Sequence, residues 1–300
     1  MIAIVCSDIH LQAKPPVARS AEPDWFEAMA HTLDQVKEIA DKHKVPTIIA
    51  GDLFDRWNAS PEVINFALDH LPDGAICVPG QHDLPYHNYD DISRSAYWTL
   101  VKCGKINNLV PNEPLLMKEQ DACFWGFPWG NKLISPYGTA AHHKLQVAVC
   151  HGFVWSAANN GYPGAPPHRL VRAIKGDLKD FDVAIFGDNH KHFKAGKIYN
   201  CGGLMRRKVD EADSRPCVGL LHRGGRVLPL QLSTDGEKFI EQFEVAELLD
   251  RALDMTEFAN GLRELAGGGD ALNFKEAITR FMQTNKVGGQ IKEIILSAMD

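Results

Sequence analysis

Short apolar runs alternate with longer amphipathic segments along the first two thirds of the chain. Six of these runs lie close to a glycine or an aspartate, which is typical of buried strands. They cover residues 2–6, 47–50, 75–78, 122–125, 146–150 and 183–186. Apolar residues at helical spacing predict a helix over 24–44, and Ser60 before Pro61 predicts the start of a second helix over 61–71. This β-α-β order predicts a layered α/β fold.

The pattern changes twice in the rest of the chain. Prolines and glycines crowd residues 157–168, where they exclude a long helix or a central strand, so this segment is a candidate lid. Residues 197–232 have the pattern of strands and hairpins. Beyond about Thr234 the helical spacing returns. We therefore expect a catalytic domain over 1–233 and a small C-terminal helical appendage over 234–300, which either caps the site or docks a partner.

Composition narrows the class of protein. A chain of 300 residues with 45% hydrophobic content can bury a large core. Its net charge of -6 means that a nucleic-acid partner would have to be attracted by local basic patches or by metal ions. The seven cysteines form no CxxC pair, which favours free thiols and a cytoplasmic location. No apolar stretch approaches the ~18–20 residues that span a bilayer, so no membrane partner is expected.

Five polar clusters directly follow the predicted strands and carry the candidate chemistry. They are Asp8-Ile9-His10, residues 51–55, residues 80–83, His151-Gly152 and residues 187–192. Carboxylates and imidazoles at the ends of separate strands can converge on metal ions, and this mixed donor set suits manganese, iron or zinc better than calcium. One such cluster alone is usually a turn or a helix cap. Five in succession predict a two-metal phosphoester hydrolase.

The order and spacing of these clusters resemble the calcineurin-like metallophosphoesterases, whose pattern runs DxH, GDxxD, GNH(D/E), H and GHxH. The resemblance covers roughly residues 1–210 and implies a four-layer αββα sandwich that binds two divalent ions. Manganese is favoured, with magnesium, iron and zinc as alternatives. The resemblance assigns Asp8, His10, Asp52 and His190 to the first ion, and Asp52, Gln81, His151 and Asp188 to the second. Asp52 would bridge the ions, and a hydroxide shared between them would be the nucleophile.

Two of these positions depart from the family pattern. Gln81 replaces the usual asparagine, which puts the affinity or metal preference of the second site in question. Asp188 stands where the family has the first histidine of GHxH, and a carboxylate there favours manganese or magnesium over zinc. In an alternative register, His190 and His192 form the pair. We favour Asp188 with His190 because Asp188 directly follows the glycine that ends the strand.

The resemblance also implies roles in catalysis. His82 would contact the phosphate and protonate the leaving oxygen, and Asp55 would orient His82 through a hydrogen bond. Arg56 would either clamp a phosphate oxygen or form a structural ion pair, and both interpretations stay open.

Residues 80–88 and 187–206 further resemble the nuclease subunit of SbcCD-type DNA repair complexes, although Gly203 stands where that subfamily has serine. This resemblance implies manganese-dependent cleavage of DNA phosphodiesters and an SbcC-type coiled-coil ATPase as partner, with Arg206 as a candidate for substrate binding. A homodimer is a further candidate assembly.

Two other functions compete with a nuclease. Residues 8–11 and 51–57 also resemble UDP-diacylglucosamine hydrolases and related pyrophosphatases, which carry arginine at the position of His82. A small-molecule phosphoester or nucleotide pyrophosphate hydrolase is therefore the alternative. A non-catalytic binding scaffold is the third, and the intact ligand set opposes it.

Overall fold

Two six-stranded sheets form the centre of the structure, which is a computed structural model that describes residues 1–157 and 160–240. The first sheet has the order β12-β11-β1-β2-β3-β4 and the second has the order β5-β6-β7-β8-β10-β9. The helices predicted beyond residue 240 lie outside the described residues.

Six of the strands in the described residues agree with the predicted apolar runs, and three of the others lie in residues 197–232, where strands and hairpins were expected. The bounds of the strands are β1 Ala3–Cys6, β2 Thr47–Ala50, β3 Ala75–Val78, β4 Ile106–Asn108, β5 Leu115–Met117, β6 Ala122–Phe127, β7 Leu145–His151, β8 Val183–Gly187, β9 Phe193–Ala195, β10 Ile198–Asn200, β11 Cys217–Leu221 and β12 Val227–Gln231. Strands β1 to β4 are parallel, as are β6, β7, β8 and β10, while β5, β9, β11 and β12 pair antiparallel.

Helices and loops cover the outer faces of the sheets. The helices are α1 Trp25–His43, α2 Pro61–His70, α3 Ala96–Lys102 and α4 Val171–Ile174. Both predicted N-termini are confirmed. The carboxylate of Asp24 accepts hydrogen bonds from the main-chain N–H groups of Phe26 and Glu27, and Ser60 is the N-cap before Pro61.

Three apolar layers hold the architecture together. One fills the space between the sheets with residues of β1, β2, β6, β7 and β8, such as Val5 and Val149. A second packs α1, α2 and α3 on the first sheet, and the third lies on the outer face of the second sheet, with α4. Because both sheets are covered on both faces, their central strands are almost continuously apolar. The predicted α/β sandwich of two sheets with helices outside is confirmed.

This topology brings the carboxyl ends of parallel strands from both sheets to one place. The turns after β1 and β2 are joined by hydrogen bonds from Asp8 N to Gly51 O and from His10 N to Asp52 O, both 3.0 Å long. His151 ends β7 of the second sheet, and its Nδ1 lies 2.7 Å from Ala50 O at the end of β2. Ligands and catalytic groups in open α/β sheets collect at such carboxyl ends.

Residues 232–240, which follow β12, contact residues before α1 and after β10. Glu237 forms ion pairs with Arg19 and Arg206, both 2.9 Å long, and the N–H of Ile240 donates to Ala18 O. In residues 1–157 and 160–240, no helix is long and apolar enough to cross a membrane. All seven cysteines are free thiols, and only Cys103 is exposed.

Candidate metal centre

Four of the predicted ligands have left-handed backbone conformations that non-glycine residues rarely adopt. The φ angles are 53° for Asp8, 51° for His10, 50° for Asp52 and 87° for Asp188. Each residue lies within four positions of the end of a strand. Such conformations cost free energy and persist where the surrounding structure requires them, often at functional sites. The backbone here turns sharply so that each side chain points to the junction of the two sheets.

The first group of converging side chains is Asp8, His10 and His190. Their ligand atoms all lie within 4.8 Å of one another. The Nε2 atoms of His10 and His190 are 3.2 Å apart, and Asp8 Oδ1 lies 4.0 Å from the first and 3.8 Å from the second. The other contacts of the Asp8 carboxylate come from Ser7 Oγ and from the main-chain N–H of Asp188. This is a compact set of one carboxylate and two imidazoles.

The second group contains Asp52 and His151, and Asp8 of the first group also has a ligand atom within 4.8 Å of both. Asp52 Oδ2 lies 3.4 Å from His151 Nε2 and 3.7 Å from His10 Nε2, so the buried Asp52 carboxylate stands between the two groups. Gln81 Oε1 is 2.7 Å from His151 Nε2, and Gln81 Nε2 donates to Asp188 Oδ1 at 3.0 Å. Gln81 and Asp188 therefore reach this side of the centre, where they are hydrogen-bonded to one another.

The donor set fits divalent cations. Asp52 Oδ2 is buried and has no hydrogen-bond partner among the described residues, although imidazole nitrogens lie on both sides of it. Buried polar atoms are normally satisfied, so this oxygen has the environment of a metal ligand. Close packing supports the arrangement, because a Cβ atom at Gly80 would overlap the Asp52 carboxylate and one at Gly51 would overlap the His151 ring.

Burial and mutual charge set the protonation of these groups. Burial raises the pKa of Asp8 to about 6 and lowers the pKa of His10 below its ordinary value. Burial also opposes the charged forms of Asp52 and His151, but their attraction outweighs it. The pKa of His151 is raised to about 10, and the pKa of Asp52 is lowered. A cation binding here has to compete with protons, as expected of imidazole and carboxylate ligands.

His82 lies beside the centre and forms a third group with His10 and Asp52, whose ligand atoms also lie within 4.8 Å of one another. Its main-chain N–H donates to Asp52 Oδ1 at 3.0 Å, and its ring lies edge-on to His10 with the centroids 4.9 Å apart. Its Nδ1 is 2.8 Å from the main-chain oxygen of Asp55. Asp55 thus contacts His82 through its main-chain carbonyl group, and its predicted role in orienting His82 stays a prediction. The Asp55 carboxylate instead binds Arg207 and lies 3.7 Å from His10 Nδ1.

The structure corrects the assignment of Arg206 to substrate binding. Its side chain is buried, with Nε 2.9 Å from Glu237 and Nη1 hydrogen-bonded to Ala212 O. The neighbouring Arg207 is the basic residue that reaches the centre, through Asp55. Both arginines follow the same turn, so the sequence spacing could not separate them. Arg56 is exposed and lines a separate cavity of about 420 Å³ with Gln12 and Asp55.

His192, the alternative ligand, does not take part in the groups formed by the described residues. Its Nδ1 is 3.0 Å from Asn200 O, and its ring packs against Tyr199. His190 is the histidine of this segment that faces Asp8 and His10. The assignment of individual ligands stays a prediction.

Three residues support the centre and were not predicted from the sequence. The Asp83 carboxylate accepts hydrogen bonds from the N–H groups of Leu53, Phe54 and Gly80, so it joins the turns after β2 and β3. Burial raises its pKa to about 7. Its position inside Gly80-Gln81-His82-Asp83 was a signal that could have identified it.

The other two lie next to His190. Glu211 Oε1 is 3.4 Å from His190 Nδ1, and Glu211 Oε2 accepts from the N–H groups of Arg207 and Lys208 at 2.6 and 3.0 Å. The buried Asn189 side chain donates to two carbonyl groups of the loop after β7. Neither residue has a sequence signature, because each acts through a contact with a distant segment.

Proteins similar to this chain are found among the solved structures. No curated protein matches the chain. Two solved structures are similar to it, a calcineurin-like phosphoesterase YfkN from Bacillus subtilis and a metallophosphoesterase from Sphaerobacter thermophilus. The first has 12% identity and a TM-score of 0.41 over 80% of this chain and 87% of that one. The second has 13% identity and a TM-score of 0.37 over 77% and 87%.

The sequence model of the calcineurin-like phosphoesterase family matches residues 1–192, nearly two thirds of the chain. This range includes all five of the strand ends whose side chains converge. The chain therefore belongs to the calcineurin-like phosphoesterase family.

Proposed function

We propose that this protein is a two-metal phosphodiesterase that cleaves DNA, with manganese as the preferred ion. The observation that carries the two-metal proposal is the position of the Asp52 carboxylate. It lies between His10 of the first group and His151 of the second, at 3.7 and 3.4 Å, and one of its oxygens has no other partner among the described residues. A carboxylate placed in this way suits a bridge between two cations, which would otherwise repel one another.

The proposed ligands follow from the two groups. Asp8, His10 and His190 would hold the first ion, His151, Gln81 and Asp188 would hold the second, and Asp52 would contact both. For Gln81 and Asp188 this requires them to exchange their mutual hydrogen bond for the ion. When bound, the ions would supply Lewis acidity towards the phosphate and towards an attacking water.

His82 is the proposed proton donor to the leaving oxygen. Because the Asp55 carbonyl can only accept, His82 Nδ1 carries a hydrogen and Nε2 is the atom that gains and loses a proton. The ring is half-buried and stands beside Asp52 and His10. The contact with Asp55 fixes the ring in the orientation that this transfer requires.

Two features support DNA as the substrate. The presence of His82 separates the chain from the pyrophosphatase group, which has arginine there. Lys191, Lys208 and Arg215 line the cavity next to His190, where they could contact the phosphates on either side of the scissile bond. An SbcC-type ATPase remains the proposed partner, and copurification with a large ATPase would test it.

The test uses the full chain purified and supplied with manganese. Labelled single-stranded and linear double-stranded DNA should be cut, and His82→Ala should reduce turnover while it retains the bound metal. The matched control is His31→Ala, on the exposed face of α1, which should leave cleavage unchanged. If DNA stays intact while a nucleotide pyrophosphate or a simple monoester is hydrolysed, the nuclease proposal is wrong and the alternative phosphohydrolase replaces it.

A further inference from the structure

A cavity of about 580 Å³ adjoins the candidate metal centre on the side of His190. Asp188, His190 and Glu211 lie in its wall, so it opens directly onto the proposed ligands. Its size falls in the range of pockets that bind small molecules or nucleotides. A cavity that is large enough for one nucleoside therefore lies beside the proposed site of bond cleavage.

Two aromatic residues from the loop after β7 form part of this wall. The rings of Phe153 and Tyr162 are 5.0 Å apart at an angle of 59°. Tyr162 is 54% exposed, which is high for a large aromatic side chain in contact with another. Exposed aromatic faces beside a phosphoester site are the surfaces on which nucleobases stack.

A buried asparagine fastens this loop to the ligand segment. Asn189, between the proposed ligands Asp188 and His190, donates from Nδ2 to Val154 O and to Asn160 O, each at 2.7 Å. The Asn160 side chain in turn accepts from the N–H groups of Ser156 and Ala157. The aromatic pair is thus held at a set position relative to His190 by hydrogen bonds on both sides of the loop.

The cavity wall has an apolar part and a charged part. Its apolar residues are Phe153, Tyr162 and the buried Cys201, Pro216 and Cys217. Its charged residues are the cations Lys191, Lys208 and Arg215 and the carboxylates Asp188, Asp210 and Glu211. A nucleobase needs an apolar surface and a stacking partner, and its flanking phosphates need cations. Both kinds of surface are present in the same cavity.

We propose that this cavity binds the nucleobase next to the scissile phosphate, with Phe153 and Tyr162 as its stacking surface. The inference rests on the proposed nuclease function and adds the position at which one nucleobase of the substrate binds. Because stacking on an aromatic ring does not read the base sequence, the site should accept any base and reject a nucleotide that has none.

The experiment scans an abasic nucleotide through a single-stranded oligonucleotide, one position at a time around the bond that is cut. In the wild-type protein with manganese, one position should raise KM by about 5- to 150-fold, the range expected for one lost base stack. Tyr162→Ala should raise KM for the intact oligonucleotide by a similar factor and should no longer respond to the abasic substitution. Tyr162→Phe keeps the ring and should behave as wild type.

Tyr86→Ala is the matched control, since Tyr86 is 73% exposed and does not line this cavity. It should keep the wild-type response to the abasic nucleotide. The inference is overturned if Tyr162→Ala leaves the abasic profile unchanged, or if Tyr86→Ala removes it. Wild-type protein that cuts no oligonucleotide at all would overturn the proposed function and this inference together, so the two failures are distinguishable.

Discussion

The two halves of the candidate metal centre are built differently. In the first half, the Nε2 atoms of His10 and His190 face one another at 3.2 Å, with Asp8 Oδ1 close to both. In the second half, the Gln81 amide lies between His151 and Asp188 and is hydrogen-bonded to each. The first half thus presents groups arranged around a common point, whereas the second half presents groups that already satisfy one another.

Because of this difference, we expect the two halves to bind metal ions with different affinities. A cation entering the first half meets lone pairs that have few competing partners. A cation entering the second half must replace two hydrogen bonds of Gln81. We therefore expect manganese to bind in two steps, the tighter one at Asp8, His10 and His190.

The largest effect should come from Asp52, the residue that both halves share. Asp52→Asn removes the negative charge between His10 and His151, so both ions lose a ligand and their mutual repulsion is no longer screened. Turnover should fall by about 10³-fold or more, which corresponds to several kcal/mol of lost stabilisation. Metal analysis of the purified variant should show fewer than two bound ions. Full occupancy with normal turnover would remove the basis for a shared carboxylate.

The next largest effect should come from His82, which neighbours Asp52 and the first half. His82→Ala should lower kcat by about 10²- to 10⁴-fold, the usual contribution of a general acid, with both metal-binding steps unchanged. Turnover of a nitrophenyl phosphodiester should fall much less than turnover of DNA, because nitrophenolate leaves without a proton. Equal losses for both substrates would show that His82 does not act as the acid.

A substitution of Glu211 should weaken metal binding in the first half alone. Its carboxylate faces His190 Nδ1 at 3.4 Å, and such partners orient a histidine ligand and increase its basicity. Glu211→Gln should weaken the tighter manganese step by about 10- to 100-fold and leave the weaker step unchanged. Calorimetric titration measures both steps. Asp210→Asn, an exposed carboxylate on the same turn, is the control and should change neither. Equal weakening of the two steps would contradict the division into halves.

The two halves should also differ in how their affinity for manganese depends on pH. Protons compete with the first ion at Asp8, whose pKa is raised to about 6, and at His190, whose pKa is raised because Glu211 and Asp8 outweigh the effect of burial. The pKa of His151 is raised to about 10, so the second ion must displace a proton at any pH below that. Between pH 6.5 and 8.5, affinity for the second ion should rise by about tenfold per pH unit, more steeply than affinity for the first. Parallel slopes in the same titration would contradict this.

Local patterns in the chain predicted the framework of the fold well. The apolar runs at 47–50 and 75–78 are the strands β2 and β3 with the same bounds, and Ser60 and Pro61 start α2 as expected. These features depend on the hydrophobicity of short segments and on the backbone preferences of single residues. Both can be seen in the order of residues along the chain. The strand-end positions of Asp8, Asp52 and His151 follow in the same way.

Contacts between distant segments were the part that could not be predicted. The spacing could not show that Arg206 pairs with Glu237 while Arg207 reaches Asp55, because adjacent residues point in different directions. It could not show that the Asp55 carbonyl, not the carboxylate, holds His82. Asn189 and Glu211 carry no motif, since their partners lie on other loops.

The layered fold and the polar residues at the strand ends could therefore be predicted from hydrophobic periodicity, because parallel strands end at the same edge of a sheet. The order and spacing of the motifs predicted the family. How those residues divide into two unlike halves, which arginine reaches them and which cavity opens beside them became visible in the folded structure. Such outcomes depend on differences of an ångström or two in side-chain position, and these are set by the packing of the whole domain.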